Sequence, residues 1–485
     1  MLKVLRYIIL FFAISLFVIG VIFNDLYILL TSICGLLIHN LCYSLENFNK
    51  RIIFFAFNIT FFTFLVGRLV VKTISDYVDI YNKNKFGLEF SNDQVIWNIF
   101  IVLFTSLLFL FIGYSCIKNN NSNQNYNKGV FKGIRIQTIA FASKYLFYIT
   151  SIFNFLIILE QARFTDQAGY TELYSSYSSS YPYFIVKFAE MSSAALFMFL
   201  ATLPTKSKSI IPLTLYFFIG TISLLVGNRN EFVLNLLIII IYLCLRNITD
   251  KHEKWFGKKE ILICISAFPF LILLLNAISY IRVDRGVSSA SFLYTINDFF
   301  YKQGVSVNLI GFAQTLANQL PNETVYTFGR IIDFIRNNII TQSLFDIPKY
   351  LPQTVESALH GNSFADSVSY ILSPNRYLNG WGYGSSYVAE LFIDFGYLGI
   401  IVGNFVLGNI LALMTRLFEN GIIGAWICLT MTRLLLYAPR DTATSFIVTS
   451  FSLINILTIV LILLSAVILD NTVKRSKLGK LNHIN

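Results

Sequence analysis

Apolar residues in this chain come in runs near twenty long, repeated from one end to the other, and that pattern leaves few folds open. The runs lie near 4–22, 25–43, 52–71, 97–117, 138–159, 184–203, 209–226, 231–246, 260–281, 387–415, 421–437 and 446–469. About 20 apolar residues wound as a helix cross the ~30 Å hydrocarbon core of a bilayer. In lipid each backbone N–H and C=O must find its partner within the structure, and a helix supplies that partner locally. Only 13% of the residues are charged, against about 25% in a soluble domain, so the chain lacks the polar surface to face water all round. The predicted class is an all-α polytopic membrane protein with about 12 transmembrane helices. The weakest separation is Gly-Asn-Arg-Asn at 227–230, which reads as a tight turn between two spans. The first apolar run has no small-residue cleavage site and is soon followed by another, so it reads as a retained span.

Basic residues orient the spans. With the N-terminus in the cytoplasm, the inside segments hold 20 Lys and Arg against 6 Asp and Glu. The outside segments hold 16 basic and 20 acidic residues, with Lys144 inside a span left out. This is the positive-inside bias, and it predicts that both termini are cytoplasmic. It also accounts for the net charge of +11 without invoking nucleic acid. Cysteines 34, 42, 116, 244, 264 and 428 fall in or beside the apolar runs with no CxxC or Cys/His spacing, and read as small apolar residues.

Loop lengths divide the chain into spans 1–9 over 1–281, a large extracytoplasmic loop over 282–386, and spans 10–12 with a basic tail over 387–485. The longest cytoplasmic connection, 118–137, reads as a polar linker, and the outer loop 160–183 is rich in Tyr and Ser. Within the large loop, SFLYTINDFFYKQG and TFGRIIDFIRNNI repeat apolar residues at three- and four-residue steps, which predicts short amphipathic helices. A loop this long with its own helices suits a lid, a binding platform or a structural cap.

The outer positions gather arginines. Arg229 lies in GNRNE, Arg282 and Arg285 in YIRVDRG, Arg376 in SPNRYLNG and Arg440 in YAPRD. A guanidinium stays charged and offers a planar fork of donors matched to phosphate oxygens. Such a group at the mouth of a bundle suits a pyrophosphate-linked lipid whose tail stays in the bilayer; snorkelling, or pairing with Asp284, is the structural alternative. The stretch GWGYGSSYVAELFIDFGYLG (380–399) combines glycines 380, 382 and 384 with Tyr383, Ser385, Ser386 and Tyr387. Glu390 and Asp394 follow on one face of the opening turns of span 10. Their carboxylates either complement the helix N-terminus or supply a general base, or an orienter for an arginine, at Glu390. His360 is the one outer histidine and a second acid–base candidate. Asp76 and Asp79 only superficially resemble the acidic loops of metal-dependent lipid-linked glycosyltransferases. No Walker loop, GxGxxG or HExxH is present, and no metal or cofactor is expected.

Three pieces resemble the O-antigen and capsular polysaccharide polymerases of the Wzy type: the GNR turn (227–229), GWGYGSSYVAELFIDFGYLG leading into a span after a long outer loop, and YAPRD (437–441), similar to a Tyr-x-Pro-Arg near the last span. They cover the C-terminal half; the N-terminal half matches in hydrophobic layout only. Asp-Thr-Ala follows Arg440 where the family more often has Gly-Ser. The resemblance implies a metal-independent glycosyltransferase of broadly GT-C type in the cytoplasmic (inner) membrane. Its substrate would be an undecaprenyl-pyrophosphate-linked oligosaccharide, and its partners a chain-length regulator and a flippase of the same pathway. Arg229, Arg376 and Arg440 would bind pyrophosphates, Arg282 and Arg285 would assist at the mouth, and Tyr383, Ser385, Ser386 and Asp394 would contact substrate. Glu390 or His360 would deprotonate the acceptor hydroxyl. An O-antigen ligase is the nearest alternative, and a flippase or transporter of lipid-linked sugars the next.

Overall fold

The computed structural model describes residues 2–75, 84–117, 134–250, 252–281, 292–321, 324–345 and 349–482. Among the described residues, twelve helices are long and apolar enough to cross a membrane: α1 Lys3–Phe23, α2 Leu26–Leu45, α3 Phe48–Ile74, α4 Asp93–Cys116, α5 Ile136–Ala168, α6 Tyr183–Ala201, α7 Lys206–Val226, α8 Arg229–Thr249, α9 Lys258–Ile278, α10 Tyr387–Glu419, α11 Ile422–Arg440 and α12 Ser445–Thr472. Each apolar run of the sequence has become one of them. The chain is a multi-pass, all-helical membrane protein. Because successive spans reverse direction, connections that follow odd-numbered helices share one end of the bundle, here termed the loop face.

The centre is built from α3, α4, α6, α10 and α11, while α1, α9 and α12 present large apolar side chains outward. Phe54, Phe57 and Phe61 of α3, Phe100 and Phe104 of α4 and Trp426 of α11 are fully buried. The tightest pairing joins α4 to α10. A Cβ on Gly113 would sit 2.1 Å from the Phe405 carbonyl, and one on Gly408 2.2 Å from that of Leu110. Small residues there let two backbones approach where lipid offers no hydrophobic drive to bring them together.

Two irregularities shape the loop face. Helix α3 widens to a π turn over Phe62–Val66 just before Gly67 and Arg68. Helix α10 is broken at Gly396, whose φ of +58° and ψ of −145° lie outside the helical region. A side chain would strain that conformation, so glycine permits the first two turns of α10 to form a separate piece. Over the same face lie the helices Phe292–Gln303, Asn308–Thr315, Tyr326–Arg336, Ile339–Phe345, Val355–His360, Phe364–Leu372 and Pro374–Leu378. The first and third are the amphipathic runs expected from the sequence. Buried Arg68 anchors this layer: its Nε donates to the Gly87 carbonyl (2.5 Å), its Nη1 to that of Tyr301 (3.3 Å), and its guanidinium lies 4.0 Å from the Tyr301 ring.

Candidate functional site

The turn between α7 and α8 starts the site. Leu224–Val226 tightens to a 3-10 turn, Gly227 takes φ +87°, and Arg229 opens α8. Arg229 Nη1 donates to the Leu275 carbonyl of α9 (3.3 Å). The next residues clip this turn to α11. Asn230 Nδ2 donates to the Tyr437 hydroxyl (2.6 Å), and Glu231 pairs with Arg433 at 2.5 Å. Two sequence motifs more than two hundred residues apart are thus joined side by side.

The end of α11 is the second part. Ala438–Arg440 forms a 3-10 turn that lies against the π turn of α3. Arg440 Nη1 donates to the Gln303 carbonyl (3.2 Å) and to its Oε1 (3.4 Å), and the guanidinium sits 5.8 Å from the Phe64 ring. Phe64 meets Tyr437 edge-on with ring centres 5.6 Å apart. Among the described residues, Arg440 has no carboxylate partner; its charge is held by an amide, a carbonyl and a ring. The next residue, Asp441, has its carboxyl raised above the ordinary aspartate range, chiefly by burial.

The start of α10 holds this turn in place. Glu390 is fully buried, accepting from Ser385 Oγ (2.6 Å) at one oxygen and from the Ala443 N–H (2.7 Å) at the other. Asp394 accepts from the N–H groups of Tyr326 (3.2 Å) and Thr327 (2.6 Å), which opens the Tyr326–Arg336 helix. Thr444 Oγ1 then donates to the Thr327 carbonyl (3.1 Å). The two carboxylates therefore tie span 10 to the Arg440 turn and to the loop layer. With both oxygens engaged and no exposure, Glu390 has no path to a substrate hydroxyl in this arrangement. Neither partner is an arginine: what the Glu390 carboxylate holds is the backbone that follows Arg440, through Ala443.

The remaining candidates scatter. Ser385 and Ser386 are buried at the head of α10, where the Ser385 hydroxyl donates to Glu390. Tyr383 packs on Trp381 and Phe312, and its N–H donates to Ser369 Oγ (3.0 Å). Arg376 is exposed and lies 5.8 Å from the Trp381 ring, on that same aromatic patch and not among the contacts of Arg440. Gly380 and Gly384 take φ of +83° and +78°, so the expected tight backbone is present. His360 is exposed at the end of a short helix, its ring 6.1 Å from that of Tyr350. Arg282, Arg285, Asp76 and Asp79 lie outside the described residues. Among the described residues no three His, Cys, Asp or Glu side chains gather as a metal would require.

Three further residues belong to this arrangement. Gln303 ends an amphipathic helix with no mark of its role, and Phe64 becomes a neighbour only through the π turn. Arg433 did carry a signal, being a charge deep in an apolar run, the default sign of function or pairing inside a membrane. A family model described as O-antigen polysaccharide polymerase Wzy matches residues 5–471. No curated protein and no solved structure matches the chain.

Proposed function

We propose, from the premise that this chain belongs to the O-antigen polysaccharide polymerase Wzy family, that it joins undecaprenyl-pyrophosphate-linked oligosaccharide repeat units into surface polysaccharide. The reaction takes place at the loop face, which the basic-residue bias assigns to the outside of the cytoplasmic membrane. The observation that carries this reading is the joining of the Arg229 turn to the Arg440 turn, through the bond from Asn230 to Tyr437, at the end of the bundle under a folded loop layer.

The chemistry asks for little beyond charge and placement. An acceptor sugar hydroxyl attacks the anomeric carbon of the donor; the C–O bond to the pyrophosphate breaks, and the lipid pyrophosphate departs with that electron pair. Fixed guanidinium groups neutralise the oxygen where charge develops, and donors of that kind are the largest single contribution in many enzymes. Arg440 is suited to the task because carbonyl and amide dipoles hold it without cancelling its charge. Arg229, braced on Leu275, supplies the second cation. Glu390 acts through the Ala443 amide by fixing the turn, as a positioning residue. The proton passes to Asp441, next to Arg440, whose burial raises its basicity. No step needs a metal or nucleotide. A flippase that delivers the lipid-linked unit and a chain-length regulator are the expected partners.

Deleting the gene and restoring Arg440→Ala tests the reading on a polysaccharide gel. The expected result is a ladder collapsed to a single repeat unit. An intact but unattached ladder would identify a ligase instead, and an unchanged ladder would overturn the assignment.

A further inference from the structure

Beyond the arginine turn, the loop layer holds a second polar recess. A cleft of about 300 Å³ opens between the Tyr326–Arg336 helix and the segment that runs from Tyr350 to Asp366. Most of the residues that line it carry polar side chains, and their polar and apolar atoms share its surface about equally. Arg330, Asp333 and Asn337 lie one helical turn apart along one stripe of the helix, with Arg336 beside them. Asn362 and Asp366 face them from the other wall.

The helix can approach the opposite wall because residue 329 is glycine; a Cβ there would fall 1.9 Å from the Asn362 carbonyl oxygen. Inside, the polar groups are held in fixed orientations. Asn362 Nδ2 donates to Asp333 Oδ1 (2.7 Å), and Ser357 Oγ donates to Asp366 Oδ2 (3.2 Å). Two cations and two carboxylates line the recess, so it carries no strong net charge of either sign. A phosphate site would show excess positive charge. Alternating donors and acceptors around a small concavity, with the Tyr350 ring at its edge, suit a neutral ligand studded with hydroxyls.

The recess is coupled to the arginine turn by a short, rigid path. The Tyr326–Arg336 helix begins on Asp394 and is bonded to Thr444, four residues past Arg440. Arg330, one turn into that helix, lines the cleft together with Asp366. One end of the helix touches the turn proposed to hold pyrophosphate and the other forms the cleft, a span of about 16 Å for 11 residues.

We propose that this cleft is a glycan subsite: it holds sugar residues of the growing chain or incoming repeat unit, removed from the bond being made. The proposal rests on the polymerase reading for its biological sense, but not for its test. A polymerase whose chemistry is confined to pyrophosphate has no grip on the sugars. A rigid second contact keeps the chain from leaving between additions and so favours longer chains.

The probe is oligosaccharide of one to a few repeat units, cut by mild acid from the producing strain's own surface polysaccharide and free of lipid and pyrophosphate. Binding to the detergent-purified full chain is followed by calorimetry for the wild type, for Arg336→Ala/Asn337→Ala and for Tyr350→Ala. Arg336 and Tyr350 are half-buried, Asn337 is exposed, and none of the three holds the cleft walls together through a side-chain bond described above. The wild type binds the probe, the double variant binds it at least tenfold more weakly, and Tyr350→Ala several-fold more weakly. In cells the double variant gives a ladder that is shorter but present. Binding unchanged in a double variant of wild-type thermal stability overturns the proposal, as does failure of the wild type to bind. Displacement of the probe from the wild type by inorganic pyrophosphate overturns it in favour of an anion site. Loss of the polymerase reading shows separately, as a normal ladder in Arg440→Ala, whatever the oligosaccharide does.

Discussion

Arginines gather at both ends of this bundle, and the company they keep differs. At the end that carries the N-terminus, Glu46 pairs with Arg51 at 3.1 Å and with Arg6 at 3.5 Å. Both guanidinium groups lie over the Tyr43 ring, at 3.7 and 4.8 Å, and Arg51 also donates to the Tyr43 carbonyl. There the two cations share one carboxylate, and the cluster locks α1, α2 and α3 together. At the loop face, Arg440 is held by Gln303 and Phe64, while the nearby carboxylates of Glu390 and Asp394 are spent on backbone amides. Arg433, a few residues away, behaves like the first kind, bonded to Glu231 and Asn235. A charge paired with an opposite charge stabilises a fold at best modestly. A charge held by dipoles keeps its field for an incoming anion.

The comparison breaks most readily at Arg440. Arg440→Ala is expected to lower polymerisation by about 100-fold or more, the loss seen when one preorganised donor to a developing oxyanion is removed. The checks are the polysaccharide ladder and chain elongation in inverted and right-side-out vesicles. Equal loss from Arg51→Ala would erase the distinction between the two ends.

Asp441 sharpens it. If its carboxylate takes the acceptor proton, activity falls as pH drops through its pKa, because the base is then already protonated. Burial raises that pKa, so the acid limb lies at higher pH than for an ordinary aspartate. Asp441→Asn removes that limb from the pH profile and lowers the rate by about 10²-fold or more, the usual range for a lost general base. An unaltered acid limb in that variant would assign the proton elsewhere.

Glu390→Gln separates positioning from chemistry. An amide keeps one acceptor for Ser385 or Ala443 but sets an N–H₂ against the other donor, at a cost of about 1–3 kcal/mol in stability. Thermal unfolding and polymerisation should decline together. A normal melting temperature with abolished synthesis would return Glu390 to the role of base.

The smallest effect on the ladder is expected from Arg51→Ala. Losing its bonds to Glu46 and Tyr43 lowers the unfolding temperature of the purified protein, yet chain lengths stay as in the wild type.

Much of the architecture was legible because apolar length and helical period are local properties. The twelve runs became twelve spans, GNRN became a turn, and TFGRIIDFIRNNI became the helix that links the arginine turn to the polar cleft. The roles of Glu390 and Asp394 were not legible. Their spacing put them on one face of a helix, but whether they met substrate or backbone depended on Ala443 and Thr327, far away along the chain. Ser385 and Ser386 looked available in a glycine-rich loop, and only the packed head of α10 shows them buried.

The sequence by itself determined the class, the number of spans, the sidedness bias and the family, since each follows from composition, run length or a contiguous motif. Tertiary structure alone decided which arginines pair with a carboxylate, that Asp394 caps a helix in the loop layer, and that a π turn brings Phe64 to Arg440. The reason is physical. A guanidinium carries the same charge everywhere in a sequence, but its power over an anion depends on what lies within a few ångströms, and only the fold sets those neighbours.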